Sequence, residues 1–420
     1  MPAPHVPPVV GFGAHTSAIG ELVTSVYAAG SSTVRTGDPN DPSPGVPSIP
    51  AVMDQLSIKS LGGVVSIDAE ARTALLQGCC PLARAVETLV PRGLMPATTP
   101  APAARTLGGA ITRTCAGPSS FATGTFAASV RELELLEPSG EIALARRGGP
   151  RGEQFARIVD DDGPTDAFIV AARVALRPAQ DYVGTRTVGA DEPAELGAIL
   201  ATISRTGAWD GEPVEFVEAV THGPTSHAIS LGRMISAAEA PLHAVSPSRY
   251  DRGGRPYALS LVPGSRDLLT TVDYLTRWEP DGFWRSFHYG LAHSSVRRWW
   301  PRRLRTPAFY SGLDSLLDGP GTTQVLERLA RWRPQSARVF REVTVPLGAV
   351  GELVESLCSI VPGVPVWTVP YRDTPPDAGG PPGAHLAEAW SAYCGIWGPG
   401  AHQRTGHNVG AENAIDRLAA

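Results

Sequence analysis

Apolar and polar positions between residues 63 and 142 recur with two different periods. Gly63-Val-Val-Ser-Ile-Asp-Ala-Glu-Ala-Arg-Thr-Ala-Leu-Leu-Gln-Gly78 predicts two short β-strands around an Asp-Ala-Glu turn. From Pro81 to Leu89 the period changes: Leu82, Ala85, Val86 and Leu89 fall on one face of a short helix. Ser129 to Ile142 reads as a strand, a Pro-Ser-Gly turn and a second strand. Further on, residues 214–220 and 228–231 read as paired strands. Residues 12–30 and 322–334 read as helices, and 294–317 is a basic, tryptophan-rich stretch. Residues 1–50 are proline-rich, with an irregular loop at 38–45. The arginines, glycines and acids of 146–165 predict a charged loop.

Composition narrows the class. A chain of 420 residues exceeds what one core usually holds, so two domains are expected. With 18% charged and 42% hydrophobic residues it reads as a soluble globular protein. A net charge of −5 gives no general attraction to nucleic acid or acidic membranes. No apolar run is long enough to span a bilayer, and Met1-Pro-Ala-Pro-His-Val-Pro-Pro8 lacks the features of a signal peptide. The expectation is a cytoplasmic protein with no membrane span and no nucleic-acid partner. Cys79, Cys80, Cys115, Cys358 and Cys394 lack metal-ligand spacing, so they are expected to be free thiols and no metal is expected.

The stretch from Arg105 to Gly124 carries the chemistry. Gly108, Gly109, Ala110, Ala116 and Gly117 have almost no side chain, and Ser119, Ser120 and Thr123 are short hydroxyls. Without Cβ atoms a main chain can approach a ligand closely, and successive N–H groups can enclose an anion. The segment suits a pyrophosphate; a glycine-rich surface loop is the alternative, with the serines serving as caps or turn bonds.

The order strand–strand–helix, Gly93-Leu-Met-Pro96, Thr106-Leu-Gly-Gly109, small-residue loop and Val130…Gly140 resembles the PCMH-type FAD-binding domain of the vanillyl-alcohol-oxidase superfamily, most of all its delta-24 sterol reductase branch. Phe168 to Val183 is similar to the last strand of that domain and the exit into a cap. Asp273-Tyr-Leu-Thr-Arg-Trp-Glu-Pro-Asp-Gly-Phe-Trp284 resembles the family's aromatic segment, and Val364-Pro-Val-Trp-Thr-Val-Pro370 a cap strand. The resemblance implies an α+β fold: a PCMH-type FAD-binding domain over 1–180, and a cap over 181–395 with an antiparallel sheet flanked by helices. It implies a segment, 396–420, returning to the first domain.

The resemblance also implies a site. FAD would meet Arg35, Gly37, Thr106, Gly108, Gly109, Cys115, Gly117, Ser119, Ser120 and Gly124. The first loop lacks the histidine that tethers flavin in other branches, and Cys115 is not at the usual cysteinyl position, so the expected FAD is noncovalent. On the substrate side Tyr274 or Glu279 would supply a proton and Arg277 would orient it, with Phe283 and Trp284 as an apolar wall. His288 and His293 are the next candidates for the acid. Ordinary core aromatics and a solvated Arg277–Glu279 pair are the alternative. The arginines and tryptophans of 297–303 read as an exposed positive face or as a site for an acidic substrate.

Two departures leave the function open. Gly163-Pro-Thr-Asp-Ala167 puts an acid where relatives carry glycine, and relatives continue past the equivalent of Asn413 to Ala420. The leading expectation is an FAD-dependent oxidoreductase acting on a C–C or C–O bond of an apolar small molecule in specialised metabolism. The alternatives are a flavin scaffold used for cyclisation or isomerisation, and a non-catalytic subunit. A homo-oligomer and pairing with a related subunit both stay open.

Overall fold

The computed structural model describes residues 9–10, 61–137, 139–160, 167–240, 245–317, 338–373 and 390–399. The helices expected at 12–30 and 322–334 lie outside them, as do residues 400–420. The fold is α+β with antiparallel sheets. By contacts the chain divides into two units, one of 1–117 with 123–181 and the other of 118–122 with 182–420.

In the first unit, β1 (Val64–Asp68) and β2 (Thr73–Gln77) form the hairpin that the alternation predicts. Helix α1 (Leu82–Leu89) buries Leu82, Ala85, Val86 and Leu89, and β3 (Leu94–Pro96) follows. Two short helices, α2 (Leu107–Ile111) and α3 (Ser120–Thr123), occupy the small-residue stretch. Next come β4 (Val130–Leu136), β5 (Ile142–Arg146), helix α4 (Gly152–Val159) and β6 (Phe168–Pro178). The sheet order is β1-β2-β6-β4-β5, and β3 pairs with the far end of β6. Strand β6 is central because its apolar run lets both faces be covered; residues 168–172 are all buried.

Helix α4 corrects the reading of 146–165 as a loop. Phe155, Ile158 and Val159 fall at i, i+3 and i+4 and are buried, a stripe that the surrounding arginines and glycines mask in the sequence. Those charges brace the helix: Arg147 donates to Asp160 at 2.7 Å with its guanidinium 5.5 Å from the Phe155 ring centre, and Arg151 donates to Glu137 at 2.6 Å.

The second unit is built on a seven-stranded sheet. Strand β7 (Tyr182–Ala190) leads to helix α5 (Pro193–Thr206) and a two-residue ribbon, β8 (Ala208–Trp209) with β9 (Glu212–Pro213). Then β10 (Phe216–Gly223) and β11 (Ser226–Ile235) pair as expected, with Val220 opposite Ala228. After β12 (Arg266–Thr270) come four helices, α6 (Thr271–Leu275), α7 (Arg285–His288), α8 (Ser294–Trp299) and α9 (Pro307–Leu317). Strand β13 (Arg338–Pro346), helix α10 (Val350–Ile360), β14 (Val366–Arg372) and β15 (Trp390–Pro399) complete it. The order is β12-β7-β11-β10-β14-β15-β13, with every pair antiparallel. Strand β15 runs through Pro399, so residues 396–399 continue this sheet. Val217, Ala219, Ile229, Leu231, Val366 and Ile396 join the core that includes α5 and α10.

The turn between β10 and β11 is fastened by buried His227. Its Nε2–H donates to the Pro224 carbonyl at 3.2 Å, and its Nδ1 shares a hydrogen bond of 2.8 Å with Thr221 Oγ1. Burial lowers the His227 pKa, against the opposing pull of the Pro224 carbonyl and of Glu195 and Asp191. A lowered folded-state value means the unfolded chain binds the extra proton first. The contribution is therefore complete above about 6.5, the ordinary histidine value, and is lost as pH falls through the folded value. In urea titrations across pH, His227→Gln is expected to lose less stability on acidification than the parent chain.

Gly78 is a glycine for a steric reason. A Cβ there would lie 1.8 Å from the Ile169 carbonyl oxygen of β6, whereas at Gly152 it would meet only the Arg146 oxygen at 3.6 Å. Gly78→Ala is expected to cost about 2 kcal/mol or more in urea unfolding, with Gly152→Ala near neutral as the control.

Candidate functional site

The small-residue stretch is anchored by its own amides. Leu82 N and Ala83 N donate to the carbonyls of Arg105 and Ala103, while Leu107 N and Gly108 N donate back to Cys80 and Gly78 at 2.9 and 2.8 Å. Thr106 caps α2, its Oγ1 accepting from Gly109 N at 3.3 Å, and Ala110 N donates to the Thr106 carbonyl. The amides of 107–110 are thus spent on the fold. What Gly108 and Gly109 offer a ligand is therefore close approach of the main chain.

Gly109 is buried, and a Cβ built on it would lie 3.2 Å from Thr106 Oγ1. Gly117 is the opposite case, because a Cβ there would sit 1.9 Å from the Thr99 carbonyl oxygen. Thr99 is buried and its hydroxyl has no hydrogen-bond partner among the described residues. Its neighbour Thr98 donates to the Gly124 carbonyl at 3.0 Å, so the Thr123 hydroxyl donates to Thr98 Oγ1 at 2.7 Å. Gly124 takes φ +79°, where glycine is unstrained. Cys115 is buried and its carbonyl accepts from Phe126 N.

Thr106, Gly108, Gly109, Cys115, Gly117 and Gly124 therefore share the first unit. Ser119 and Ser120 are buried in 118–122, the segment grouped with the second unit: Val217 N donates to the Pro118 carbonyl at 2.8 Å and Trp390 Nε1 to Phe121 O at 2.8 Å. Arg35 and Gly37 lie outside the described residues. An unpartnered buried hydroxyl and a buried glycine with no side chain of its own fit a polar cofactor seated against a closely approaching main chain. The orphan Thr99 was missed because a lone threonine carries no sequence signal.

In the second unit the organising group is Glu218 of β10, also missed. It is fully buried and accepts five hydrogen bonds. Arg277 donates from Nε at 3.0 Å and from Nη2, and the Tyr257 hydroxyl donates to the same oxygen at 2.8 Å. Trp278 Nε1 and Trp367 Nε1 donate to the other oxygen at 3.1 and 2.9 Å. The signal was present: an acid inside Phe216-Val-Glu-Ala-Val220 points to a face where charge must be compensated.

Tyr274 and Arg277, both predicted, are brought together. The guanidinium lies 4.0 Å from the Tyr274 ring centre and 5.0 Å from that of Tyr257, and Nη1 donates to the Tyr274 carbonyl. Burial opposes the charge on Arg277, but the adjacent carboxylate outweighs it and raises its pKa. Burial and the Glu218 charge keep Tyr257 protonated as a donor. Arg277 pairs with Glu218 and not with Glu279, which is half-buried at the start of a 3-10 turn.

The deeply buried acid of this segment is Asp281. Burial raises its pKa while the charge of Arg297 pulls the other way, and it accepts from Ser286 Oγ at 2.8 Å and from Arg297. Arg297 is thus internal, not part of an exposed basic face. Phe283, at φ +65°, stacks on Trp278 at 4.6 Å and meets Trp367 edge-on at 5.3 Å. Trp284 is buried with no hydrogen-bond partner for its indole N–H among the described residues, and the His222 ring meets it edge-on at 6.2 Å. His293 is exposed; His288 lies in α7. Among the described residues there is no cluster suited to a metal ion and no helix able to cross a membrane.

Comparison with known proteins bears on the first unit. Residues 51–145 match the FAD binding domain family. A stretch of 125 residues, 30% of the chain, is 27% identical to decaprenylphosphoryl-beta-D-ribose oxidase of Mycolicibacterium smegmatis. The match covers 27% of that protein's length. The FAD domain match and the antiparallel α+β architecture agree with a PCMH-type fold.

Arg277→Met, which leaves the Glu218 charge buried without its cation, is expected to cost about 3–5 kcal/mol in chemical denaturation. Adding Glu218→Gln should recover part of that loss, a coupling that a double-mutant cycle measures directly.

Proposed function

We propose that the chain is an FAD-dependent oxidoreductase that acts on a C–C or C–O bond of an apolar small molecule, with the flavin held noncovalently. The observation that carries this reading is the match of residues 51–145 to the FAD binding domain, which contains both the buried Gly109 and the unpartnered Thr99 hydroxyl. Bound flavin supplies the acceptor or donor of a hydride. On the protein side, Thr99 would donate a hydrogen bond to a cofactor oxygen and Gly109 would permit close contact.

In the second unit Arg277 is committed to Glu218 and the Tyr274 carbonyl, so its part is to position Tyr274. Tyr274 or Glu279 would move the proton that accompanies hydride transfer. The relative from Mycolicibacterium smegmatis, decaprenylphosphoryl-beta-D-ribose oxidase, is compatible with a largely apolar substrate. Placement beside the delta-24 sterol reductases rests on the motif order at 273–284 and 364–370, and with a role in specialised metabolism it forms part of the proposal.

Two measurements test it. The purified chain is expected to carry flavin that denaturation releases intact; Gly109→Val should weaken retention ~5- to 150-fold, as ~1–3 kcal/mol of overpacking implies, with an unchanged circular-dichroism spectrum. Colourless protein that binds no added FAD would end the flavin reading. Tyr274→Phe or Glu279→Gln, whichever removes the acid, should lower turnover by ~100-fold or more at unchanged flavin content.

A further inference from the structure

Helix α8 has two unlike sides. Arg297 turns inward to Asp281 and to the Tyr250 carbonyl, and Trp300 packs on Phe309 at 5.5 Å. Val296 and Trp299, three residues apart and so on one side, turn outward, Val296 42% and Trp299 85% exposed. Such an indole gains nothing from the core of its own chain. Pro301, next along, is also exposed.

The surroundings are strongly basic. Asp251 is met by Arg302 at 2.6 Å, Arg249 at 3.2 Å and Arg252 at 3.9 Å. Arg298 and Arg303 are exposed and have no ion-pair partner among the described residues. Arg249 also reaches Asp273, at 3.7 Å. Arginine is in excess here although the whole chain carries −5.

We propose that this face of the second unit, centred on Trp299 with Val296, Arg298 and Arg303, docks on an anionic phospholipid bilayer. Indole rings partition to the boundary between headgroups and acyl chains, and arginines beside them meet the phosphates. The charge is complementary to an anionic leaflet. Val296 and Pro301 add aliphatic area, which suits a bilayer boundary better than a stack of bases. The attachment is peripheral and does not depend on the flavin reading.

The test is co-sedimentation of the full chain with vesicles of phosphatidylcholine alone or mixed with phosphatidylglycerol, beside a single-stranded oligonucleotide. Binding is expected to the mixed vesicles, to weaken in raised salt, and to be much weaker to phosphatidylcholine. Arg298→Glu with Arg303→Glu should lower the partition coefficient at least ~20-fold, from ~5-fold per arginine lost at an anionic surface. Trp299→Ser should lower it several-fold. These positions are exposed, so the fold is expected to survive, which circular dichroism checks. Failure to sediment with the mixed vesicles overturns the proposal, as does binding indifferent to all three substitutions. Sensitivity of oligonucleotide binding alone would overturn it in favour of a nucleic-acid surface.

Discussion

Glu218 is a carboxylate in the middle of a sheet strand, and a carboxylate taken out of water needs every lone pair directed at a donor. That need reaches far along the chain. The donors come from a 3-10 turn at 257–260, from residues 277 and 278 after α6, and from β14, so one side chain draws three separate segments onto β10. Apolar packing alone would hold Tyr257, Trp278 and Trp367 against the sheet in several arrangements of similar energy. Indole and phenol donors aimed at one carboxylate select a single one. The buried ion pair adds direction more than net stability.

This gives the second unit a sheet with two chemically distinct faces. Val217 and Ala219 join the aliphatic core with α5 and α10, while the residue between them meets tyrosine, arginine and tryptophan. The aromatic face holds the strained backbone of Phe283 and the unpartnered Trp284 indole, features that ordinary packing tends to remove. Gly282 belongs to the same arrangement: a Cβ there would sit 2.5 Å from the Tyr310 ring.

What the sequence revealed and what it hid follow from distance along the chain. The β1–β2, β4–β5 and β10–β11 pairs were legible because hairpin partners are close in sequence and share one alternating pattern. Helix α1 was legible from its four-residue stripe, whereas α4 carries an equally good stripe hidden among arginines and glycines. The partners of Glu218 lie 39 to 149 residues away, beyond the reach of any periodicity. The glycine stretch was legible as a place of close approach, but not its amide bonding, since Gly78 and Cys80 accept from residues nearly thirty positions downstream. Only the segment 273–284 as a whole could be singled out from its aromatics; that its buried acid is Asp281 depends on Ser286 and Arg297 folding back onto it.

The five residues 118–122 leave the first unit, lend Phe121 to the aliphatic core of the second, and return at Thr123. Because of that excursion neither unit is a continuous stretch of chain. A polypeptide cut between 181 and 182 would leave the Val217 amide and the Trp390 indole without the carbonyls they use, and the core without an aromatic ring. During synthesis the second unit's core stays incomplete until β15 emerges, with Phe121 waiting on a partner made nearly 270 residues later. Evolution by simple exchange of the second unit is closed to such a chain: a foreign unit would have to accept a guest peptide from its host, so the two parts must change together.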